Sequence, residues 1–163
     1  MSGQTDTLGL RPYRPADREV VIDLIWQLNL FEDAISADRA PDREAAEACL
    51  EVDLARVGRD GGHLVVAEKA GRIVAFMTLV FETPQPFLRK EVAQVAWVSE
   101  LVVAEGHRGQ GIGTLLLHEA ERLARASKVG RLMIGAITGN EAARAAYEKF
   151  GFRPAVIELA KDL

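Results

Sequence analysis

The stretch Leu101-Val102-Val103-Ala104-Glu105-Gly106-His107-Arg108-Gly109-Gln110-Gly111-Ile112-Gly113-Thr114 joins a run of strand-forming residues to the start of a helix. Val92 to Val103 reads as one long, nearly uninterrupted strand. Ile112, Leu116, Leu117, Ala120, Leu123 and Ala124 then fall on one side of a helix that runs to about Lys128. The first turn of such a helix carries free backbone N–H groups and the positive end of the helix dipole. Glycines at 109, 111 and 113 leave no side chains in front of it, and Thr114 adds a hydroxyl. The junction can therefore cradle an anion such as pyrophosphate. The same glycines could also serve only a tight strand–helix connection. The spacing speaks against two common nucleotide sites: G-x-G-x-x-G would need a glycine at 114, and a P-loop would need Gly-Lys-Ser/Thr at its end.

Working upstream, Leu64 to Glu68 and Arg72 to Phe81 flank the turn Lys69-Ala70-Gly71 and predict a hairpin, broken off by Pro84 and Pro86. Residues 8–13 predict a short strand. Pro15 opens a helix with Asp17 and Glu19 in its first turn and Val20, Val21, Leu24, Ile25 and Leu28 at helical spacing. A second helix runs from about Asp42 to Val57 and is stopped by Gly58 and the pair Gly61-Gly62. The segment Phe31 to Pro41, with Glu32, Asp33 and Asp38, is expected to be a connecting loop. Downstream, Arg131 to Ile137 predicts a fifth strand, Asn140 to Phe150 a short helix, and Gly151-Phe152 the start of a last strand. The order β-α-α-β-β-β-α-β-α-β predicts an α/β fold over residues 1–163, one domain with a mixed central sheet flanked by helices. The strand–helix–strand unit from 92 to 137 should be parallel.

Composition narrows the function. The net charge is −4, which lacks the basic footprint that nucleic-acid binding needs. No apolar run approaches the ~18 residues of a membrane span, and residues 1–9 lack the pattern of a signal peptide. A soluble cytoplasmic protein is expected. The single cysteine, Cys49, cannot form an internal disulfide and reads as a small apolar residue on a helix. His63, His107 and His118 have no metal-ligand spacing with each other or with Cys49, so no metal site is expected.

Two motifs carry a family resemblance. Arg108-x-x-Gly111-x-Gly113 resembles the R/Q-x-x-G-x-G/A signature of the GNAT superfamily of N-acetyltransferases, placed after a fourth strand ending Glu100-Leu101-Val102-Val103. Asn140 to Phe152 resembles N-x-x-A-x-x-x-Y-x-x-x-G-F, with Asn140, Ala143, Tyr147, Gly151 and Phe152 in register. The resemblance covers about residues 63–160, while the first 60 residues match in layout only. Glu105 stands where the family often has proline, which affects loop stiffness more than chemistry.

The resemblance implies acetyl-CoA as co-substrate. Its pantetheine arm would lie along Leu101, Val102 and Val103, with Leu101 and Val103 pairing with it through their backbones. The N–H groups of Arg108, Gly109, Gln110, Gly111, Ile112, Gly113 and Thr114 would hold its pyrophosphate. The Arg108 guanidinium would help there or be simply solvated. Asn140 would contact the pantetheine or cap its own helix. Tyr147 would protonate the leaving thiolate or be a packed aromatic. Glu100 is the candidate base for the acceptor amine, with a water chain as the alternative. Strict alternation sets it on the opposite face from Ser99 and Leu101. Glu32 and Asp33 would line the acceptor site or sit in a solvated loop. The first two helices and the segment 82–92, with Pro84, Phe87 and Leu88, would shape the acceptor site. The expected reaction moves an acetyl group to a primary amine of a small molecule. The alternatives are a protein or peptide acceptor, and a non-catalytic acyl-CoA-binding module. A homodimer is compatible with the family.

Overall fold

Leu64 and Val66 lie buried on one side of their strand and Val65 and Ala67 on the other, so the sheet is covered on both faces. The computed structural model describes residues 7–163, and the polar stretch 1–6 lies outside the described residues. Five strands form the sheet in the order β1 (Leu8–Pro12), β2 (His63–Lys69), β3 (Arg72–Phe81), β4 (Ala96–Val103) and β5 (Leu132–Ile134). The first four pair antiparallel, and β4 pairs parallel with β5. Helices α1 (Arg18–Ser36) and α2 (Arg43–Asp60) cover one face. Helix α4 (Ile112–Ala126) covers the other, and the four-residue α3 (Lys90–Ala93) and α5 (Glu141–Phe150) complete the set.

The core divides accordingly. Met77, Leu79, Val98, Ile112, Leu116 and Ala120 pack on the α4 side. Val21, Ile22, Ile25, Leu50, Phe76 and Val102 pack on the α1–α2 side. Asp17 fixes the entry to α1. Its carboxylate accepts from the Arg14 N–H at 2.7 Å and from the Arg11 guanidinium at 2.7 and 3.0 Å. The Arg11 guanidinium holds that carboxyl below its ordinary range. Arg43 of α2 pairs with Glu19 and Asp23 of α1, and Arg18 of α1 pairs with Glu51 of α2.

Several expectations need correction. Strand β4 starts at Ala96 rather than Val92, because Lys90–Ala93 forms a short helix. Helix α1 continues to Ser36, so Phe31 to Ser36 is helix and not loop, and Glu32 is buried rather than solvated. The periodic stripe Val21, Ile25, Asn29, Glu32 simply continues past the last aliphatic residue, and the helix ends at Ala37 in the left-handed region. Strand β5 stops at Ile134, well short of Ile137. The last strand expected after Gly151-Phe152 is not formed: residues 152–163 adopt no regular structure, and Val156, Ile157 and Leu159 are exposed. Pro154 cannot donate to a ladder, and a three-residue β5 offers little edge to join.

The glycine pair after α2 does two different jobs. Gly61 takes the left-handed conformation that ends the helix. Gly62 is pressed against β3, where an added Cβ would lie 2.4 Å from the Leu79 carbonyl oxygen. That contact is backbone and cannot swing away. Gly62→Ala should therefore destabilise the protein by about 2 kcal/mol, while Gly58→Ala, which meets nothing, should be neutral or slightly stabilising. Thermal unfolding of the two variants checks the contrast.

Candidate active site

Strand β4 changes face in mid-course. Thr78 of β3 pairs with Glu100 and Leu79 pairs with Val98, which leaves Ser99 as an extra residue, a β-bulge. Before the bulge, Val98 packs toward α4. After it, Leu101 and Val103 pack toward α4 and Val102 toward α1 and α2. The bulge corrects the expectation from strict alternation. Ser99 and Glu100 both turn to the α1–α2 side, because the extra residue absorbs half a pleat. There the Ser99 hydroxyl donates to the Asp53 carboxylate of α2 at 3.2 Å.

The bulge also marks where β4 and β5 part. Their ladder runs only over Ala96–Leu132, Trp97–Met133 and Val98–Ile134. From Ser99 to Val103 the β4 edge toward β5 has no strand partner, so it presents backbone groups to an extended ligand. That open edge leads into the glycine-rich turn. Gly109 and Gly111 are in the left-handed region, at φ 73° and 79°, and α4 starts with no side chain capping it. An added Cβ at Gly109 or Gly111 would meet nothing within 4 Å, so the space in front of the helix is clear. Thr114 is exposed on the first turn.

Two side chains of this turn make contacts of their own. The Arg108 guanidinium folds back, with Nε donating to the Val103 carbonyl at 3.1 Å and its plane 5.3 Å from the Phe31 ring of α1. Arg108 thus ties the loop to the end of β4. The Gln110 side chain bonds the Gly106 carbonyl and Lys69, each at 3.3 Å.

At the bulge, side chains from five elements meet. Burial pushes the Glu100 carboxyl up to about 7, helped by the negative charge of Asp53. Asp53 is 5% exposed and is likewise raised by burial. Its Oδ2 has no hydrogen-bond partner, and neither does the fully buried Thr78 hydroxyl, which faces the same carboxylate from just outside bonding geometry. Glu32 forms an ion pair with Arg39 at 2.6 Å, at an angle that leaves its Oε2 without a directed hydrogen bond. Tyr147 of α5 lies within electrostatic reach of Glu32 and Glu100. Burial, then the charges of Glu32 and Glu100, push its hydroxyl up to about 12. Its ring packs edge-on against Phe152 at 6.0 Å. Asn140 caps α5, accepting from the Ala143 N–H at 3.1 Å. The structure thus brings Glu100, Tyr147 and Glu32 together and shows Asn140 in its capping role. Asp33 is part-exposed on the same helix. Cys49 lies in α2, its thiol raised by burial and by the neighbouring Glu100 charge.

Sequence reading missed Asp53, Arg39, Ser99 and Thr78. For Asp53 the signal was present: Ala46, Leu50 and Asp53 stand at i, i+4 and i+7, so the acid occupies the buried stripe of α2.

The fourth of the five strands parts from the fifth after Val98, and a glycine-rich turn follows its end. The model of the Acetyltransferase (GNAT) family matches residues 25–152, and the chain belongs to that family. It is an acetyltransferase that draws its acetyl group from acetyl-CoA. No curated protein matches it by sequence. Among solved structures, it is similar to a predicted acetyltransferase from Clostridium acetobutylicum determined with acetyl-CoA: 17% identity, 96% of each chain covered, TM-score 0.73. It is similar to glucosamine-6-phosphate N-acetyltransferase from Arabidopsis thaliana, at 20% identity over 96% of this chain and 98% of that one, TM-score 0.67. It also resembles an aminoglycoside antibiotic 6'-N-acetyltransferase from Acinetobacter haemolyticus, at 16% identity over 95% and 99%, TM-score 0.68. At these identities the likeness shows the fold alone. Among the described residues, no helix is long and apolar enough to cross a membrane.

Proposed function

We propose that the protein acetylates the primary amine of a small cationic molecule by direct attack on the thioester, with Glu100 as base and Tyr147 as acid. The observation that carries this is the meeting of Glu100 and Tyr147 at the one place where β4 is open. The open edge from Ser99 to Val103 suits the pantetheine arm, and the free N–H groups of the glycine turn suit the pyrophosphate. With Arg108 turned onto Val103, the phosphates fall to backbone N–H groups more than to its guanidinium.

The steps balance. An ammonium ion gives its proton to Glu100 carboxylate, and the neutral nitrogen attacks the carbonyl carbon. The N–C bond forms, a backbone N–H near the end of β4 holds the oxyanion, and the C–S bond breaks. The sulfur takes the Tyr147 proton and CoA leaves as the thiol; the nitrogen then gives its second proton back to the Tyr147 phenolate, and Glu100 releases its proton to solvent. A lysine-like amine is well under ~1% neutral at pH 7, so a base is worth having. A carboxyl titrating at about 7 is matched to that task. A hydroxyl raised to about 12 stays protonated throughout the working range.

Glu32, Asp53 and Glu100 outnumber Arg39 and Arg56 around the bulge, which favours a cation over a neutral or acidic acceptor. Two of the similar structures bear names of small-molecule acetyltransferases, one for glucosamine 6-phosphate and one for aminoglycosides. Release of CoA thiol should be faster with polyamines or aminoglycosides than with lysine peptides or peptide N-termini at equal concentration. Faster release with peptides would reverse the acceptor assignment.

Glu100→Gln separates base from scaffold. Its rate should fall roughly 10²-fold at pH 7 and recover as the pH approaches that of the free amine. The same variant should be more stable than wild type above pH 7. The sign follows from the raised carboxyl: its stabilising protonated form is complete below the unfolded value of 4.5 and is lost as pH rises through about 7. The gain should be on the order of 2 kcal/mol at pH 8 and vanish below about pH 4.5. Urea unfolding at several pH values reads it.

A further inference from the structure

Asp53 belongs to no motif and touches no part of the cofactor path, yet it is a buried acid placed against the bulge. Its Oδ1 accepts from Ser99, the residue whose insertion turns Glu100 toward the acceptor side. Its Oδ2 and the Thr78 hydroxyl are both buried and unpartnered beside it. Thr78 is the cross-strand partner of Glu100. A carboxylate, a serine and a threonine are thus gathered directly behind the candidate base. We propose that Asp53 is a positioning residue that acts through Glu100: anchored by Ser99, its negative charge keeps Glu100 basic enough to take the proton of the acceptor amine. The inference rests on the reading of Glu100 as the base.

The charges facing the pair come from every neighbouring element. Helix α1 contributes Glu32, and Arg39 follows it. Helix α2 contributes Cys49, Asp53 and Arg56, and α5 contributes Tyr147. Asp53 is the largest charge acting on Glu100, ahead of Arg39, which opposes it, and Glu32, which adds to it. Two adjacent buried carboxylates cannot both ionise freely, so one holds the proton near neutral pH. The Thr78 hydroxyl, then Ser99 and Arg56, favour the charged form of Asp53, whereas Glu100 has no hydrogen bond favouring its own. The proton therefore resides on Glu100, the member that faces the acceptor and can exchange it. Without the Asp53 charge, burial would still raise Glu100 but by less, and the carboxylate would be a weaker base toward the amine.

The test needs no acceptor. Protein labelled with ¹³C at glutamate carboxyls is titrated by NMR, and the Glu100 signal is assigned by its loss in Glu100→Gln. At pH 7 about half of Glu100 should be protonated in the wild type, and a clearly smaller fraction in Asp53→Asn. An Asp53→Asn midpoint equal to or above that of the wild type overturns the proposal. If Asp53→Asn does not fold, aspartate-labelled wild-type protein decides. The Asp53 carboxyl signal should show an inflection at the Glu100 midpoint, and a signal that passes through that pH without one overturns the coupling. A wild-type Glu100 that titrates near 4.5 would instead remove the reading of Glu100 as base, so the two failures are distinguishable.

Discussion

Tyr147→Phe lowers turnover by roughly 10²-fold and leaves acetyl-CoA binding and stability near the wild-type level. The substitution keeps the ring, and with it the edge-on packing against Phe152 and the place of α5 on the sheet. It removes only a hydroxyl that burial and two carboxylates hold firmly protonated. In the proposed mechanism that hydroxyl gives its proton to the departing thiolate. The loss should shrink with acyl donors whose leaving group is a weaker base. A steady-state comparison of two thioesters, together with acetyl-CoA titration calorimetry, separates the outcomes. Wild-type turnover in Tyr147→Phe would make Tyr147 a packed aromatic. A collapse of acetyl-CoA binding would make its hydroxyl a binding contact.

Gly111→Val weakens acetyl-CoA binding by at least about 10²-fold, or about 2.7 kcal/mol. Two effects act together. Gly111 has φ 79°, where a β-branched residue is strongly disfavoured, so the first turn of α4 must rearrange. Its added side chain would also project into the clear space before the helix, where the pyrophosphate is expected to lie. Because nothing packs there, global stability should fall much less than affinity. Calorimetric titration beside thermal unfolding reads both. Gly113→Ala is the milder control: its Cβ would meet Leu101 and Val103 side chains at 3.8 Å, an ordinary contact. Unchanged affinity in Gly111→Val would place the phosphates elsewhere.

The parts of this site legible in the sequence were those set by strong local rules. Glycines 109, 111 and 113 after a buried strand announce a helix start with nothing before it. Asn140, Ala143 and Tyr147 share a helical face by spacing alone. What escaped were features decided by tertiary geometry. Ser99-Glu100 broke the apolar alternation of β4, but only the pairing with Thr78 and Leu79 shows that a bulge sends both to one side. The helical stripe of α1 carried Glu32 past the last aliphatic position, where an acid ordinarily signals solvent. Asp53 was legible from its spacing to Ala46 and Leu50, but its partner Ser99 was not, because the bulge that brings them together is tertiary. Arg108 fits its motif, yet its guanidinium answers to Phe31 and Val103, two contacts that no spacing predicts. The absent last strand is the reverse case. Its composition favoured a strand, but β5 is too short an edge to recruit it.

The central claim is direct transfer from acetyl-CoA to an amine, without an acyl-enzyme. Cys49 is the group that could contradict it, since it stands within electrostatic reach of Glu100. Rapid quench of enzyme mixed with isotope-labelled acetyl-CoA and an amine mixture, followed by mass spectrometry of both protein and small molecules, tests the claim most directly. The account predicts labelled N-acetyl amine formed in equal amount to released CoA, with the protein mass unchanged at every time point. Labelled acetyl on Cys49 that forms before product and decays into it, or CoA release with no acetylated amine, would contradict it.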